Sequence, residues 1–186
     1  MKKIIPFLTV FFLFSACTGK KDVQPEKKET PEIKKAETVE ENHAEISSGN
    51  FEKGQTIHHI SLPSVKTGEI IKFETFKGKR ILFDFWSSWC EPCIAMFPDI
   101  NKLKTELEDK KGNLKILSIS VDPMKGNVLK IMEQKKVLFE VLQAPESLAN
   151  SGILMPFAAV ADENGKIIRT VSGKHTYEEF LKLIEE

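Results

Sequence analysis

The sequence predicts one α/β domain, and three observations carry that prediction. Beyond Phe51 a charged, aromatic-free stretch gives way to short β-rich runs alternating with amphipathic helical stretches. Two apolar runs, residues 80–86 and 114–121, have the length and composition of buried central strands. Between them Ile94, Phe97, Ile100, Leu103 and Leu107 recur at spacings of three and four, the stripe of a helix packed on a sheet.

In chain order, residues 56–61 and 70–73 suggest a small antiparallel hairpin, with Thr67 and Gly68 in the connection. Residues 80–86 lie between Gly78 and a Ser-Ser pair and read as the central strand. A helix is expected from near Pro92 to about Glu108. A second strand follows at 114–121, a helix at 128–136, a short strand at 138–142 and one or two helical turns at 145–150. Residues 157–161 and 166–171 flank Glu163-Asn164-Gly165, where Asn-Gly is expected to supply positive φ angles, and residues 177–184 close with a helix.

The flanking sequence has another character. Lys2 and Lys3 precede an apolar run at 4–14 that is too short to span a bilayer, so residues 1–16 read as a signal peptide. Ser15-Ala16-Cys17 resembles the lipobox of bacterial lipoproteins, with Phe14 where that motif usually has Leu. Lipidation of Cys17 would hold the protein on the outer face of a membrane, periplasmic or cell-surface; ordinary secretory cleavage with a free thiol is the alternative. Residues 17–50 form a charged tether too poor in apolar side chains to offset its ordering entropy, which leaves 51–186 as the domain. The 27 basic residues balance 27 acidic ones, so net charge predicts no attraction to nucleic acid.

Trp89-Cys90-Glu91-Pro92-Cys93 is the most specific signal, because it stands where a buried strand ends and a helix begins. Cys90 at the helix N-terminus faces backbone N–H groups without intrahelical partners, which favour a thiolate. Cys93, one turn on, can resolve a mixed disulfide formed by Cys90. Pro92 suits a first turn, where a missing N–H costs little. Two other readings stand beside this one. Half of a structural zinc site needs two further ligands at similar spacing, and His58, His59 and His175 form no such set; no metal is expected. A structural Cys90–Cys93 disulfide would close too small a loop to stabilise much.

Residues 85–93, Phe-Trp-Ser-Ser-Trp-Cys-Glu-Pro-Cys, resemble the active-site run of thioredoxins and, more closely, of the exported TlpA/ResA-like branch. The leading hairpin, Lys77-Gly78-Lys79, Pro98, and Pro156 followed by Asp162 extend the likeness from about Phe51 to the end. The resemblance implies a thioredoxin fold with an N-terminal β-hairpin extension, a central mixed sheet with helices on both faces, and a redox-active Cys90–Cys93 disulfide without a cofactor. It also implies a cis bond between Met155 and Pro156 facing the cysteines, with the Met155 backbone pairing to an extended substrate. A trans proline beginning an edge strand is what periodicity alone favours for Pro156. Asp84 lies inside an apolar strand at the offset of the buried Asp that thioredoxins use for proton transfer with the second cysteine. Burial would raise its pKa. The chain departs from relatives in having Met96 where many have Glu, and Ser118 near the place of the lysine that accompanies the buried Asp. Trp86, Trp89, Met155 and Phe157 are candidates for an apolar rim that binds unfolded polypeptide, with core packing an equal account of Trp86 and Phe157.

The implied activity is reduction of protein disulfides outside the cytoplasm, with apocytochrome c thiols as one client and a DsbD/CcdA-like membrane thiol donor resetting the pair. A peroxidase of the related peroxiredoxin fold is one alternative; it wants an isolated cysteine in a Thr/Ser-rich loop. A Cu(I)-binding lipoprotein is another, because thiolates are soft ligands.

Overall fold

The computed structural model describes residues 46–185. The expected leader at 1–16, Cys17 and most of the expected tether lie outside the described residues. Residues 46–50 nevertheless belong with the domain and not with a tether reaching residue 50. Ile46 is buried, its carbonyl accepts a hydrogen bond from Ser147 Oγ at 2.8 Å, and a 3₁₀ turn over Ser48–Phe51 buries the Phe51 ring.

Strands β1 (Ser61–Pro63) and β2 (Ile70–Lys72) form the hairpin. β1 begins five residues later than alternation suggests, because Ile57 and Ile60 are both buried in a turn. The Ile57 N–H donates to Gly165 O and the Ile60 N–H to Ile57 O, so the backbone there cannot join a ladder. A 3₁₀ turn at Phe73–Phe76 leads to β3 (Arg80–Trp86), followed by α1 (Glu91–Ile94) and α2 (Phe97–Leu103). A π turn (Lys104–Glu108) and α3 (Asp109–Lys111) precede β4 (Leu114–Ser120). Then come α4 (Lys125–Gln134), β5 (Glu140–Gln143), α5 (Glu146–Ala149), β6 (Phe157–Ala161), β7 (Ile167–Ser172) and α6 (Tyr177–Glu185).

The helix expected over 92–108 is thus broken. Pro98 has no N–H to give to Ile94, and its ring would collide with that carbonyl, so the chain interrupts the helix at Ala95 and Met96 before α2 begins. The Glu163-Asn164-Gly165 turn also differs from expectation. Only Gly165 has positive φ (72°), and Asp162 Oδ1 accepts hydrogen bonds from the N–H groups of Asn164 and Lys166. An aspartate-nucleated turn closed by a left-handed glycine therefore replaces a two-residue Asn-Gly turn.

The main sheet has the order β5-β4-β3-β6-β7, with β3, β4 and β5 parallel and β6 and β7 antiparallel to their neighbours. β3 is central, and its alternation sorts two cores. Leu82 and Trp86 face a cluster with Cys90, Cys93, Phe97, Ile100, Val128 and Phe180. Ile81, Phe83 and Phe85 face Phe51, Ile57, Leu62 and Phe73. Helices α2, α4 and α6 supply the first layer, whereas the N-terminal segment and short α5 cover the second. Phe51 meets Phe83 and Phe85 edge-on, with centroids 5.2 and 4.8 Å apart.

Candidate active site

β3 delivers the chain to the sheet's end, where Cys90 caps α1. The Cys90 N–H donates to Ser87 O and its carbonyl accepts from the Ile94 N–H, both at 3.1 Å. Pro92 lies in the first turn, and the Glu91 side chain is exposed. Cys90 and Cys93 are joined in a disulfide with Cα atoms 5.3 Å apart. Their exposures differ, at 8% for Cys90 and 0% for Cys93. Of the pair, only Cys90 keeps any exposed surface. Because α1 is four residues long, it offers Cys90 first-turn N–H groups more than an extended dipole.

A buried carboxylate that sequence reasoning missed holds the loop before the cysteines. Asp122, 1% exposed, follows β4; its Oδ2 accepts hydrogen bonds from the Ser88 N–H (3.3 Å) and from Ser88 Oγ, and its Oδ1 accepts the Met124 N–H at 2.8 Å. The Asp122 carbonyl accepts from Gln143 Nε2 at 2.7 Å. The active-site turn is thereby tied to the β4–α4 connection. An Asp closing an apolar strand, together with an unexplained Ser-Ser pair, was the available signal.

Asp84 is fully buried on β3, opposite Ser118 of β4 and Ala158 of β6. Strand alternation puts it on the face of Leu82 and Trp86, which is the face of the cysteines. Burial pushes its carboxyl up to about 7, and a hydrogen bond from Ser118 Oγ to Asp84 Oδ2 (3.1 Å) opposes part of that rise. Oδ1 accepts no hydrogen bond. Met96, 1% exposed, packs in the same core, and its sulfur accepts the His175 N–H at 3.1 Å. Met96 serves as an apolar prop of that core.

Met155–Pro156 is a cis peptide bond. Trp89 is 62% exposed, and with Met155, Ile153, Val121 and Pro123 it borders a cleft of about 680 Å³ that also carries Lys125, Gln143 and Glu146. The rim is smaller than the sequence suggested. Trp86 is buried edge-on against Phe97, with centroids 4.9 Å apart. Phe157, in register with Phe85, packs on that ring in the second core at 5.4 Å. Strand parity turns Phe157 away from the cysteines, so it belongs to the core and not to a substrate rim. Among the described residues no group of three or more His, Cys, Asp or Glu side chains is arranged to hold a metal ion. His58 instead packs against Gly165, and the His175 ring lies beside Phe180.

A mixed sheet of this order, with a fully buried cysteine one turn behind a barely exposed one at a helix N-terminus, defines a thioredoxin-like thiol-disulfide oxidoreductase. A model described as the AhpC/TSA family matches residues 53–179, and the chain belongs to that family. It is 29% identical over 123 residues to the thiol-disulfide oxidoreductase ResA of Bacillus thuringiensis subsp. konkukian, covering 63% of this chain and 70% of that protein. It is 27% identical over 119 residues to the thioredoxin-like protein YneN of Bacillus subtilis, covering 63% and 69%. Among solved structures, a protein assigned as thiol:disulfide interchange protein DsbE from Chlorobium tepidum aligns with TM-score 0.61 and 26% identity over 71% of this chain and 93% of that one. A thioredoxin family thiol:disulfide interchange protein from Chlorobium tepidum TLS aligns with TM-score 0.62 and 21% identity over 72% and 96%, a likeness of fold.

Proposed function

We propose that this protein reduces disulfides in polypeptides outside the cytoplasm, through a Trp89-Cys90-Glu91-Pro92-Cys93 active site. The supporting observation is the contrast between a reachable Cys90 and an enclosed Cys93 one helical turn away. In the reduced enzyme the Cys90 thiolate attacks a substrate disulfide, forming a mixed disulfide and expelling one substrate thiolate. Cys93 loses its proton to Asp84, attacks Cys90 Sγ and expels the second substrate thiolate. The protein is left oxidised and the client doubly reduced. Asp84 suits this task because a carboxyl near 7 can both accept and return a proton at neutral pH.

The cleft supports a polypeptide substrate. Exposed Trp89 and the Met155 edge offer an apolar surface and backbone groups to an extended segment on either side of the target cysteine. Apocytochrome c is the client class that the TlpA/ResA resemblance implies. A membrane thiol donor of the DsbD/CcdA type would return electrons to Cys90–Cys93, and lipidated Cys17 would hold the enzyme beside it.

Alkylation of the reduced protein at mildly acidic pH tests the chemistry. Cys90 should label faster than a peptide thiol, whose pKa is about 8.5, and Cys90→Ser should abolish insulin reduction. Labelling at the peptide rate removes the mechanism. A redox potential near the oxidising end, about −120 mV, would reverse the direction assigned here.

A further inference from the structure

We infer that Ser118 is a positioning residue for the resolving step, holding the Asp84 carboxyl so that Oδ1 is the atom that exchanges a proton with Cys93. The inference rests on the proposed proton role of Asp84 and goes beyond it. Ser118 and Asp84 are register partners on the two central parallel strands, and neither side chain has any exposure. Ser118 Oγ donates to Oδ2 at 3.1 Å, whereas Oδ1 accepts from no protein group among the described residues. An ionised carboxylate with one oxygen engaged and one bare takes up its proton on the bare oxygen. The hydroxyl can rotate, and the β3–β4 pairing sets the Ser118 Cα opposite Asp84.

No other charged group competes for this role. Among the described residues the buried ionisable side chains besides the cysteines are Asp84 and Asp122, and Asp122 lies past the end of β4, engaged by Ser88 and the Met124 N–H. Ala158 of β6 faces Asp84 with a methyl group, and the helical layer opposite contributes Cys90 and Cys93 as its buried titratable groups, with half-buried Tyr177 of α6 at its edge. His175 reaches the edge of this layer through its backbone N–H to Met96 and its ring beside Phe180, where its Nδ1 is engaged with the Gly173 carbonyl. Among the described residues, burial raises the Asp84 pKa and the Ser118 hydrogen bond lowers it. A serine thus performs a weaker version of what a cation would do. It partly stabilises the carboxylate while leaving it basic enough to take the thiol proton.

The resolving step balances as follows. Cys93 S–H gives its proton to Asp84 Oδ1, and the Cys93 thiolate forms a bond to Cys90 Sγ. The Cys90–substrate bond breaks, and the substrate leaves as a thiolate. The test is stopped-flow reaction of the reduced Cys17→Ser protein with dithiobis(nitrobenzoic acid) across pH, in which the Cys90–Cys93 pair releases two coloured thiolates in succession. The first reports attack by Cys90 and the second resolution by Cys93. In Ser118→Ala the midpoint of the second phase should rise by about one pH unit, making resolution about tenfold slower below the midpoint. The first phase should keep its profile. Ser118→Thr, which retains the hydroxyl, should restore the second phase, and Asp84→Asn should flatten it. A second phase unchanged in Ser118→Ala but flattened in Asp84→Asn overturns the Ser118 inference alone. One unchanged in both variants removes the Asp84 proton role and this inference with it. Equal shifts of both phases in Ser118→Ala would also overturn it, because a loosened structure would produce them.

Discussion

Replacing Asp84 with Asn should change how the stability of the oxidised protein depends on pH. The carboxyl titrates at 3.8 in an unfolded chain and at about 7 in the folded one, where burial raises it. Between those values the folded state keeps a proton that the unfolded state releases, so stability falls as pH rises through this window and levels off above it. At about 1.4 kcal/mol per unit of displacement, the full penalty above neutrality is about 4 kcal/mol. Asn keeps the shape and removes the titration. Its amide leaves a buried N–H without a partner, a pH-independent cost of about 1–3 kcal/mol. Urea unfolding of both proteins from pH 4 to pH 8 isolates the effect, because every other ionisable group is common to the pair. The wild type should be the more stable near pH 4 and the variant near pH 8, with the difference changing by about 4 kcal/mol. A difference that stays constant across the series would show that Asp84 ionises in the folded protein as it does in water.

Cys93→Ala should accumulate mixed disulfides between Cys90 and client polypeptides, visible on non-reducing gels and lost on reduction; clients released at the normal rate would show that Cys93 does not resolve. Trp89→Ala should raise KM for a polypeptide disulfide several-fold with little change in kcat, since the exposed indole contributes binding surface. Phe51→Ala should destabilise by about 3–5 kcal/mol, because it opens a cavity against Phe83 and Phe85; a loss under about 1 kcal/mol would show that the N-terminal segment is not part of the cooperative core. Gly165→Ala should cost at least about 1 kcal/mol of unfolding free energy, since its Cβ would lie 2.3 Å from the His58 ring at positive φ.

Much of the site was legible because its signals are local. A cysteine pair at a strand–helix junction, an Asp inside an apolar strand and a proline ahead of another strand can all be seen within a few residues. Phe157 was harder to place. One residue of strand parity decides whether it lines the cysteines or backs against Phe85, and parity depends on its pairing with β3. Asp122 was missed because its role depends on Ser88, thirty-four positions away. The helix break could have been read from Pro98 alone, but a continuous apolar stripe outweighed it. The late start of β1 could not, since Gly165 is what draws the Ile57 backbone out of the ladder.

The sequence by itself determined the α/β alternation, the place of Cys90 and Cys93 at a strand–helix junction, and the presence of Asp84 inside an apolar run. Each of these follows from residue type and periodicity within one element. Only the tertiary structure decided that Cys93 is fully enclosed, which Asp84 oxygen meets Ser118, and which aromatic rings face the cleft. Those properties depend on register and layer order, which arise when strands far apart in the chain align and exclude water from one side of each side chain.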